Sequence, residues 1–162
     1  MLNNDIRIQP TAIKTLAIDL GTRTGWATQG KNGIMHGWID FKVERGSGGG
    51  MRFVKFRQWL SELEKDKPDR VVYEMVMRHV GTDAAHVYGG FLALLTEWCE
   101  SHGIPYRGLG VGTVKKAWTG KGNASKDAMI EEAHRRGFTA VFDNNEADAI
   151  AILMCGQEKT ND

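Results

Sequence analysis

The sequence predicts an α/β protein in which a five-stranded mixed sheet is flanked by helices on both faces. Three observations indicate this class. The first part of the chain contains three closely spaced strand-like segments, which is typical of an antiparallel meander. Two further short apolar segments follow, each preceded by a segment with helical periodicity. Two more helical segments come last, so the order of elements suits a mixed sheet between two helical layers.

The five strands are predicted from short apolar or alternating runs bounded by turn residues. They occupy residues 14–20, 26–29, 37–43, 71–74 and 104–109. Turns at residues 21–25 and 31–33 separate the first three strands and make them a hairpin meander. The first and fourth strands both end at an acidic residue, which is uncommon for a buried strand.

Four helices are predicted, at residues 51–65, 84–100, 123–136 and 145–154. The first follows a glycine-rich break at 46–50, which we interpret as a hinge because it lacks the Gly-Lys-Ser/Thr ending of a phosphate-binding loop. Asn123 is predicted to cap the third helix and Gly137 to close it. The second helix is apolar around more than one face, so we expect it to pack on two sides. Its second contact is either the rest of the monomer or a partner subunit.

Length and composition suit one domain that spans residues 1–162, with predicted flexible tails at 1–13 and 157–162. The chain is 41% hydrophobic and 25% charged, which are ordinary globular values. No apolar run approaches the ~20 residues that span a bilayer, and the start lacks the apolar core of a signal peptide. We therefore expect a soluble, cytoplasmic protein without membrane contact. Cys99 and Cys155 are expected to be buried thiols, and no Cys/His set has zinc-site spacing.

Three acidic residues occupy comparable positions at the ends of predicted elements. Asp19 ends the first strand, Glu74 ends the fourth, and Asp148 lies near the start of the last helix. Burying a carboxylate costs several kcal/mol unless something compensates its charge. If the two strands are adjacent, Mg²⁺ or Mn²⁺ is the natural compensation, and two such ions support phosphodiester hydrolysis. The alternative is that each acid caps a helix or forms an ion pair.

The distribution of basic residues is more informative than the net charge of +1. Residues 107–126 contain no acidic side chain and five basic ones, namely Arg107, Lys115, Lys116, Lys121 and Lys126. A local basic stripe of this kind is what contact with nucleic-acid phosphates requires. A solvated lysine-rich loop is the alternative interpretation.

Four segments of the chain resemble, in order, the motifs of the RuvC family of Holliday junction resolvases, which have an RNase H-like fold. They are residues 16–27 (LAIDLGTRTGWA), 71–74 (VVYE), 114–126 (VKKAWTGKGNASK) and 143–151 (DNNEADAIA). The similarity extends from about residue 15 to residue 154. It is greatest for phage or prophage versions of the resolvase.

The resemblance implies that Asp19, Glu74 and Asp148 bind Mg²⁺ or Mn²⁺, with two ions in each site. It also implies that Lys115 and Lys126 act at the scissile phosphate. The substrate would be branched DNA, and a C2 homodimer would match the two-fold symmetry of a four-way junction. The residues expected to contact DNA are Lys115, Lys116, Lys121, Lys126, Met77, Arg78, His79 and Arg23. The start of the helix after Asn123 or Ala124 is expected to offer backbone N–H groups to a phosphate.

The chain departs from the family pattern in two places. The family often has a second acid three residues before the last one, where this chain has Asn145. We predict that Asp143 supplies the fourth carboxylate, with Glu146 as the weaker choice. The family also often has an aromatic residue three positions after the second-motif glutamate, where this chain has Met77. Methionine stacks less well on bases, so the preference for junctions is open at this point.

Three alternative functions also remain open. A nuclease of the same fold could act on RNA, flaps or replication forks instead of junctions. The run Asp19-Leu20-Gly21-Thr22 also resembles the phosphate loop of actin-like sugar kinases, but those enzymes need two such domains around ATP. A catalytically inactive DNA-binding module is the third alternative, and Asn145 in place of an acid supports it.

Overall fold

The computed structural model describes residues 13–158. Its strands are β1 (Thr15–Asp19), β2 (Arg23–Gly30), β3 (Gly33–Asp40), β4 (Arg70–Met75) and β5 (Tyr106–Gly110). Its helices are α1 (Met51–Leu63), α2 (Thr82–Ser101), α3 (Val111–Thr119), α4 (Lys126–Arg135) and α5 (Asn144–Glu158), with a 3-10 turn at Glu64–Asp66 after α1.

The five strands form one mixed sheet in the order β3-β2-β1-β4-β5. The meander β1-β2-β3 is antiparallel, whereas β4 lies parallel to β1 and β5 lies parallel to β4. Parallel neighbours bring the carboxyl ends of β1 and β4 to the same edge of the sheet. The predicted fold class is confirmed.

Side chains of β1 alternate between two separate hydrophobic clusters, as the period of a strand requires. Leu16 and Ile18 pack with α1 and α2 on one face of the sheet, which we call the α2 layer. Ala17 packs with α3, α4 and α5 on the opposite face, the α5 layer. Since both faces are covered, the predicted arrangement of helices on both sides of the sheet is confirmed.

All of the predicted strands and helices exist, but several of their boundaries differ from the predictions. The second strand begins at Arg23 within the predicted turn, because residues 23–30 all find partners on β3. The third strand runs over Gly33–Asp40 instead of 37–43, because a two-residue turn joins Gly30 to Gly33, whose φ is +95°. Helix α5 continues to Glu158, so residues 157 and 158 belong to it. The other residues of the predicted tails, except Ile13, lie outside the described range.

The segment after β5 differs most from the prediction, which contains no helix between residues 109 and 123. The structure has α3 there, with Val114 and Trp118 buried at helical spacing. The next helix begins at Lys126, and its N-cap is Ser125, not Asn123: Ser125 Oγ accepts a hydrogen bond of 3.1 Å from the Ala128 N–H. The proposed phosphate contact at a helix start therefore moves from Asn123 or Ala124 to the turn after Ser125.

The broad apolar surface of helix α2 packs mostly against other parts of the same chain. Tyr88, Phe91, Leu95 and Trp98 are buried, and the ring of Phe53 from α1 fills the space beside Gly90. Val87, Leu92 and Leu94 are partly buried against the same cluster. Packing within the monomer thus covers most of the large apolar side chains of α2.

The two cysteines agree with the sequence prediction, and the lengths of the helices bear on membrane contact. Cys99 and Cys155 are both buried thiols. Between residues 13 and 158, the structure contains no helix that is long and apolar enough to cross a bilayer.

Candidate active site at the carboxyl ends of the central strands

The pairing of β1 with β4 places two of the predicted acids next to each other. Ile18 lies opposite Tyr73, so Asp19 and Glu74 occupy the following positions on neighbouring parallel strands. Side chains two residues apart on a strand project from the same face of the sheet. Asp19 therefore projects from the same face as Ala17, and Glu74 from the same face as Val72. Ala17 and Val72 both pack in the α5 layer. The two carboxylates therefore lie side by side, on the face of the sheet that α5 covers.

The third acid, Asp148, is brought to this edge by α5. Asp19 pairs with Gly25 on β2, and a Cβ atom on Gly25 would lie only 1.9 Å from the backbone oxygen of Asn145. The missing side chain of Gly25 thus lets the first turn of α5 touch the sheet beside Asp19. Asp148 follows Asn145 by three residues, so it lies on the same side of the helix, one turn further along.

The pKa values show that the acids interact. Burial raises the pKa of Asp19 well above its ordinary value, and the charges of Glu74, Asp148 and Asp143 raise it further. Burial, and then the charge of Asp148, raises the pKa of Glu74 to about 7, while Lys115 opposes the shift. The structure therefore brings the three acids predicted from three distant segments into one electrostatic cluster.

The pKa of Asp148 is raised to about 6, mainly by burial, although two lysines lower it. These are Lys115 on α3 and Lys126 at the start of α4, the two basic residues singled out in the sequence. Lys115 is partly buried and Lys126 is exposed. Lys116 and Lys121 are also exposed, and Lys121 lies in a separate groove with Ser125 and Arg135.

The two candidates for a fourth carboxylate have different surroundings. Asp143 caps α5: its Oδ1 accepts hydrogen bonds from the N–H groups of Asn145 and Glu146, at 2.9 and 3.1 Å. Its Oδ2 lies 2.9 Å from Arg23 Nε. Glu146 instead contacts His36, with 2.5 Å between Oε1 and Nδ1. Only Asp143 contributes to the raised pKa values of Asp19 and Asp148, which favours Asp143 over Glu146.

The chemistry of this cluster fits a hard divalent cation. Asp148 Oδ1 is buried and has no hydrogen-bond partner, so one carboxylate oxygen lacks the compensation that burial requires. Adjacent carboxylates raise one another's pKa unless a cation lies between them, and oxygen ligands suit Mg²⁺ and Mn²⁺. As the side chains stand, no three His, Cys, Asp or Glu residues within 13–158 form a closed metal-binding group.

The loop after β4 carries the three predicted DNA contacts of the second motif. Met77 is 77% exposed, and Arg78 is exposed beside it. His79 lies against the ring of Tyr88, with 4.9 Å between ring centroids. Tyr88 was not predicted from the sequence, but its hydroxyl donates to the Glu74 carbonyl at 2.7 Å and accepts from the Val76 N–H at 3.2 Å. Tyr88 therefore fixes the end of β4 that presents Glu74.

A groove of about 680 Å³ lies next to the strand ends, on the side of the α2 layer. His79, His86 and Arg52 line it together with the turn after β1. Arg52 Nη1 lies 3.4 Å from Thr22 Oγ1 within that turn. Arg52 was missed in the sequence analysis because it follows the glycine-rich break, which offered no partner for it.

Comparisons with known proteins agree with this geometry. No family model matches the chain. The chain is 29% identical over 105 residues to the crossover junction endodeoxyribonuclease RuvC of Anaeromyxobacter sp. (strain Fw109-5). That alignment covers 64% of this chain and 51% of the relative, so the chain matches about half of the relative's length.

Solved structures show the same fold. Thermus thermophilus RuvC in complex with a Holliday junction substrate has a TM-score of 0.69 at 22% identity, covering 88% of this chain and 92% of that one. A second Thermus thermophilus RuvC structure has a TM-score of 0.69 at 21% identity, with 92% and 96% covered. The yeast mitochondrial Holliday junction resolvase has a TM-score of 0.59 at 17% identity, with 91% and 78% covered. The chain is therefore similar in sequence to a RuvC endodeoxyribonuclease over part of its length, and it has the RNase H-like α/β fold that these solved structures share.

Proposed function

We propose that this chain is a structure-selective endonuclease that resolves Holliday junctions by metal-dependent hydrolysis of phosphodiester bonds. The observation that carries the proposal is the cluster of Asp19, Glu74 and Asp148, which come from three separate segments and shift one another's pKa values. Two proteins with similar folds are described with Holliday junctions or as their resolvase, which supports the choice of substrate.

The proposed cofactor is Mg²⁺ or Mn²⁺, with two ions in each site. Asp19, Glu74 and Asp148 would hold the ions, and Asp143 would join them as the fourth carboxylate. Ions of this kind, when bound, supply an activated water and stabilise the leaving oxygen. The protein contributes the carboxylates on rigid strand ends, and Tyr88 holds one of those ends in place.

The lysines are proposed to bind the DNA strand at the site of cleavage. Lys115 and Lys126 already interact with the acid cluster, so a phosphate at that cluster would lie within their reach. Their positive charge would stabilise the negative charge that develops on the phosphate oxygens. Lys116 and Lys121 would extend the contact along the DNA backbone, with an affinity that falls as salt rises.

We further propose that the chain acts as a homodimer, because a four-way junction must be cut at two symmetry-related points. A C2 dimer presents two equivalent sites to such a substrate. Helix α2 is the proposed seam: its outer face carries the small exposed residues Gly89 and Ala93, which are four residues apart and permit close helix approach. Such an enzyme would act where the DNA is, in the cytoplasm of a bacterial cell or a phage-infected host.

A cleavage assay tests the proposed function directly. Wild-type protein with Mg²⁺ is incubated with a four-way junction, a fork, a flap, a linear duplex and an RNA hairpin. We expect paired nicks in the four-way junction and little cleavage of linear duplex. The Glu74→Gln variant and EDTA should each abolish cleavage, whereas Glu62→Gln, at an exposed position of α1, should leave it unchanged.

Other outcomes would change the conclusion in defined ways. Efficient cleavage of forks, flaps or RNA without junction cleavage would show that the chain is a nuclease with a different substrate. Binding of junctions without cleavage under any metal would indicate an inactive DNA-binding module. Cleavage that persists in EDTA would reject the metal-dependent mechanism.

A further inference from the structure

An exposed tryptophan lies beside the acid cluster, and none of the proposed functions uses it. Trp38 is on β3, the edge strand of the sheet, and 44% of it is exposed. Arg23 covers one face of its ring, with the guanidinium carbon 3.7 Å from the ring centroid. Arg23 Nε also lies 2.9 Å from Asp143 Oδ2. The tryptophan is thus part of a stack that begins at the rim of the site.

The strand register fixes where this stack lies relative to the acids. Asp19 pairs with Gly25, and Gly25 pairs with Trp38, so the three residues form one row across the sheet. Residues directly opposite each other project from the same face, so Trp38 and Asp19 share the face of the α5 layer. Two strand spacings separate them by about 10 Å. At a rise of ~3.4 Å per nucleotide, a DNA strand needs at least about three nucleotides to cover this distance.

The first turn of α5 lies over Gly25, between Asp19 and Trp38, so a DNA strand that reaches both residues passes over the start of this helix. The other side of the acid cluster is formed by β4, where Glu74 lies, and by Lys115 and Lys126. A DNA strand that crosses the acids therefore meets lysines on one side and the Arg23–Trp38 stack on the other. The exposed residue of the second motif, Met77, follows β4 and has no aromatic ring.

We propose that Trp38 is a nucleotide-binding platform, on which an unstacked base close to the scissile phosphate lies against the exposed part of the indole ring. Arg23 holds the ring from the other side and presents its charge to the neighbouring phosphate. Aromatic rings beside a positive charge bind unpaired bases in this way regardless of base identity. This inference rests on the proposed function, because a branched junction is the substrate that offers unstacked bases near a cleavage point.

The proposal is tested by binding assays with labelled four-way junctions in EDTA, so that cleavage does not interfere. Trp38→Ala should weaken binding by about tenfold or more, since loss of one stacked base has an effect of that size. Trp38→Phe keeps an aromatic ring and should stay within about threefold of wild type. Met35→Ala is the matched control, because Met35 is 59% exposed on the same strand but lies on the opposite face. Its affinity should equal that of wild type.

A second set of junctions separates stacking from a purely structural role of Trp38. Single abasic nucleotides are placed in turn at the positions near the cleavage point. One of them should weaken binding by wild type about as much as Trp38→Ala does, and it should have no further effect on the variant. If every abasic junction weakens both proteins equally, or if Trp38→Ala binds like wild type, the platform is excluded. The platform is also excluded if Arg23→Gln weakens binding as much as Trp38→Ala does and no abasic position weakens binding by wild type more than binding by Trp38→Ala.

The assay distinguishes this inference from the proposed function. If wild type cleaves junctions but Trp38→Ala binds them equally well, the platform is overturned and the resolvase proposal stands. If wild type cleaves no junction but Trp38→Ala still loses its abasic-sensitive binding, the platform stands and the resolvase proposal fails. If wild type binds no junction, fork or single strand, both are overturned.

Discussion

Glu74 is a buried carboxylate whose negative charge destabilises the folded protein when no cation is bound. The side chain is 9% exposed, and burial together with Asp148 raises its pKa to about 7. The folded protein therefore holds this proton more tightly than the unfolded chain, whose glutamate has the ordinary pKa near 4.5. Protonation of Glu74 therefore makes its full contribution to the free energy of unfolding below pH 4.5, and this contribution is lost as the pH rises toward 7 and beyond.

Replacing Glu74 by glutamine should therefore separate stability from activity. At pH 8 and without metal, Glu74→Gln should melt a few degrees above wild type, because it removes a buried charge. About 1 kcal/mol corresponds to about 2–4 °C for a chain of this size. Nuclease activity of the same variant should fall at least ~100-fold. Thermal melts and junction cleavage measure the two effects, and a variant that melts below wild type at pH 8 would contradict the assignment.

Metal binding should depend on pH in the direction set by the same pKa values. Asp148 and Glu74 have pKa values of about 6 and about 7, so both are largely protonated at pH 5 and ionised at pH 8. Excess Mg²⁺ should raise the melting temperature by several degrees at pH 8 and by much less at pH 5, because only the ionised carboxylates bind the ion. The double variant Glu74→Gln/Asp148→Asn should lose the shift at pH 8. An equal shift at both pH values would place the ion elsewhere.

The choice between Asp143 and Glu146 could be made only in part from the sequence. Sequence reasoning favoured Asp143 because Glu146 and Asp148 are two residues apart on a helix and point in different directions. The structure adds the physical reason: Glu146 contacts His36 of β3, whereas Asp143 lies close enough to shift the pKa of Asp19. His36 is 110 residues away in sequence, so no local pattern could reveal this contact.

Gly25 controls the position of α5 at the scale of secondary-structure elements. A Cβ on this residue would lie 1.9 Å from one atom of the Asn145 backbone and 2.3 Å from another, and backbone cannot rotate away as a side chain can. A side chain here must push the first turn of α5, and with it Asp148, away from β1. The approach of helix to sheet, and not turn geometry, explains the glycine.

We therefore expect Gly25→Ala to lose both stability and activity. The destabilisation should be about 1–3 kcal/mol or more, as for other overpacked sites, and cleavage should fall because Asp148 moves away from Asp19. Gly30→Ala is the matched control: it lies on the same strand, and nothing lies within 4 Å of its added Cβ. Denaturant unfolding and junction cleavage test both variants. Equal stability of Gly25→Ala and wild type would show that α5 does not depend on this contact.

Helix α3 shows where sequence patterns were insufficient at this scale. Val111, Val114 and Trp118 have helical spacing, and Gly120 ends the helix with a positive φ of 86°. This signal was present, but the helix has only nine residues and its lysines suggested a loop. The consequence is functional, because the helix holds Lys115 against the acid cluster, which a flexible loop would not do.

The proposed dimer is a property of the whole molecule. If each subunit carries one complete site, mixing wild-type and Asp19→Asn chains should give heterodimers that nick a single strand of the junction. Differently tagged chains can be co-purified and their products separated on native and denaturing gels. If the heterodimers instead cut the junction at both points, the model with one active site in each subunit would be wrong. Heterodimers that cut neither strand would show that cleavage at one site requires a functional second site.

Local sequence features were enough to predict the fold class and to single out the acids Asp19, Glu74 and Asp148 and the lysines Lys115 and Lys126 as candidate site residues. Apolar periodicity and acids at strand ends are local features, and they can be read before the chain is folded. The folded structure was needed to learn which side chains surround them, including the ion pair of Arg23 with Asp143, the contact of α5 with Gly25 and the stack of Arg23 on Trp38. Those contacts join residues from distant parts of the chain, and they exist only once strand register and helix packing have brought those parts together.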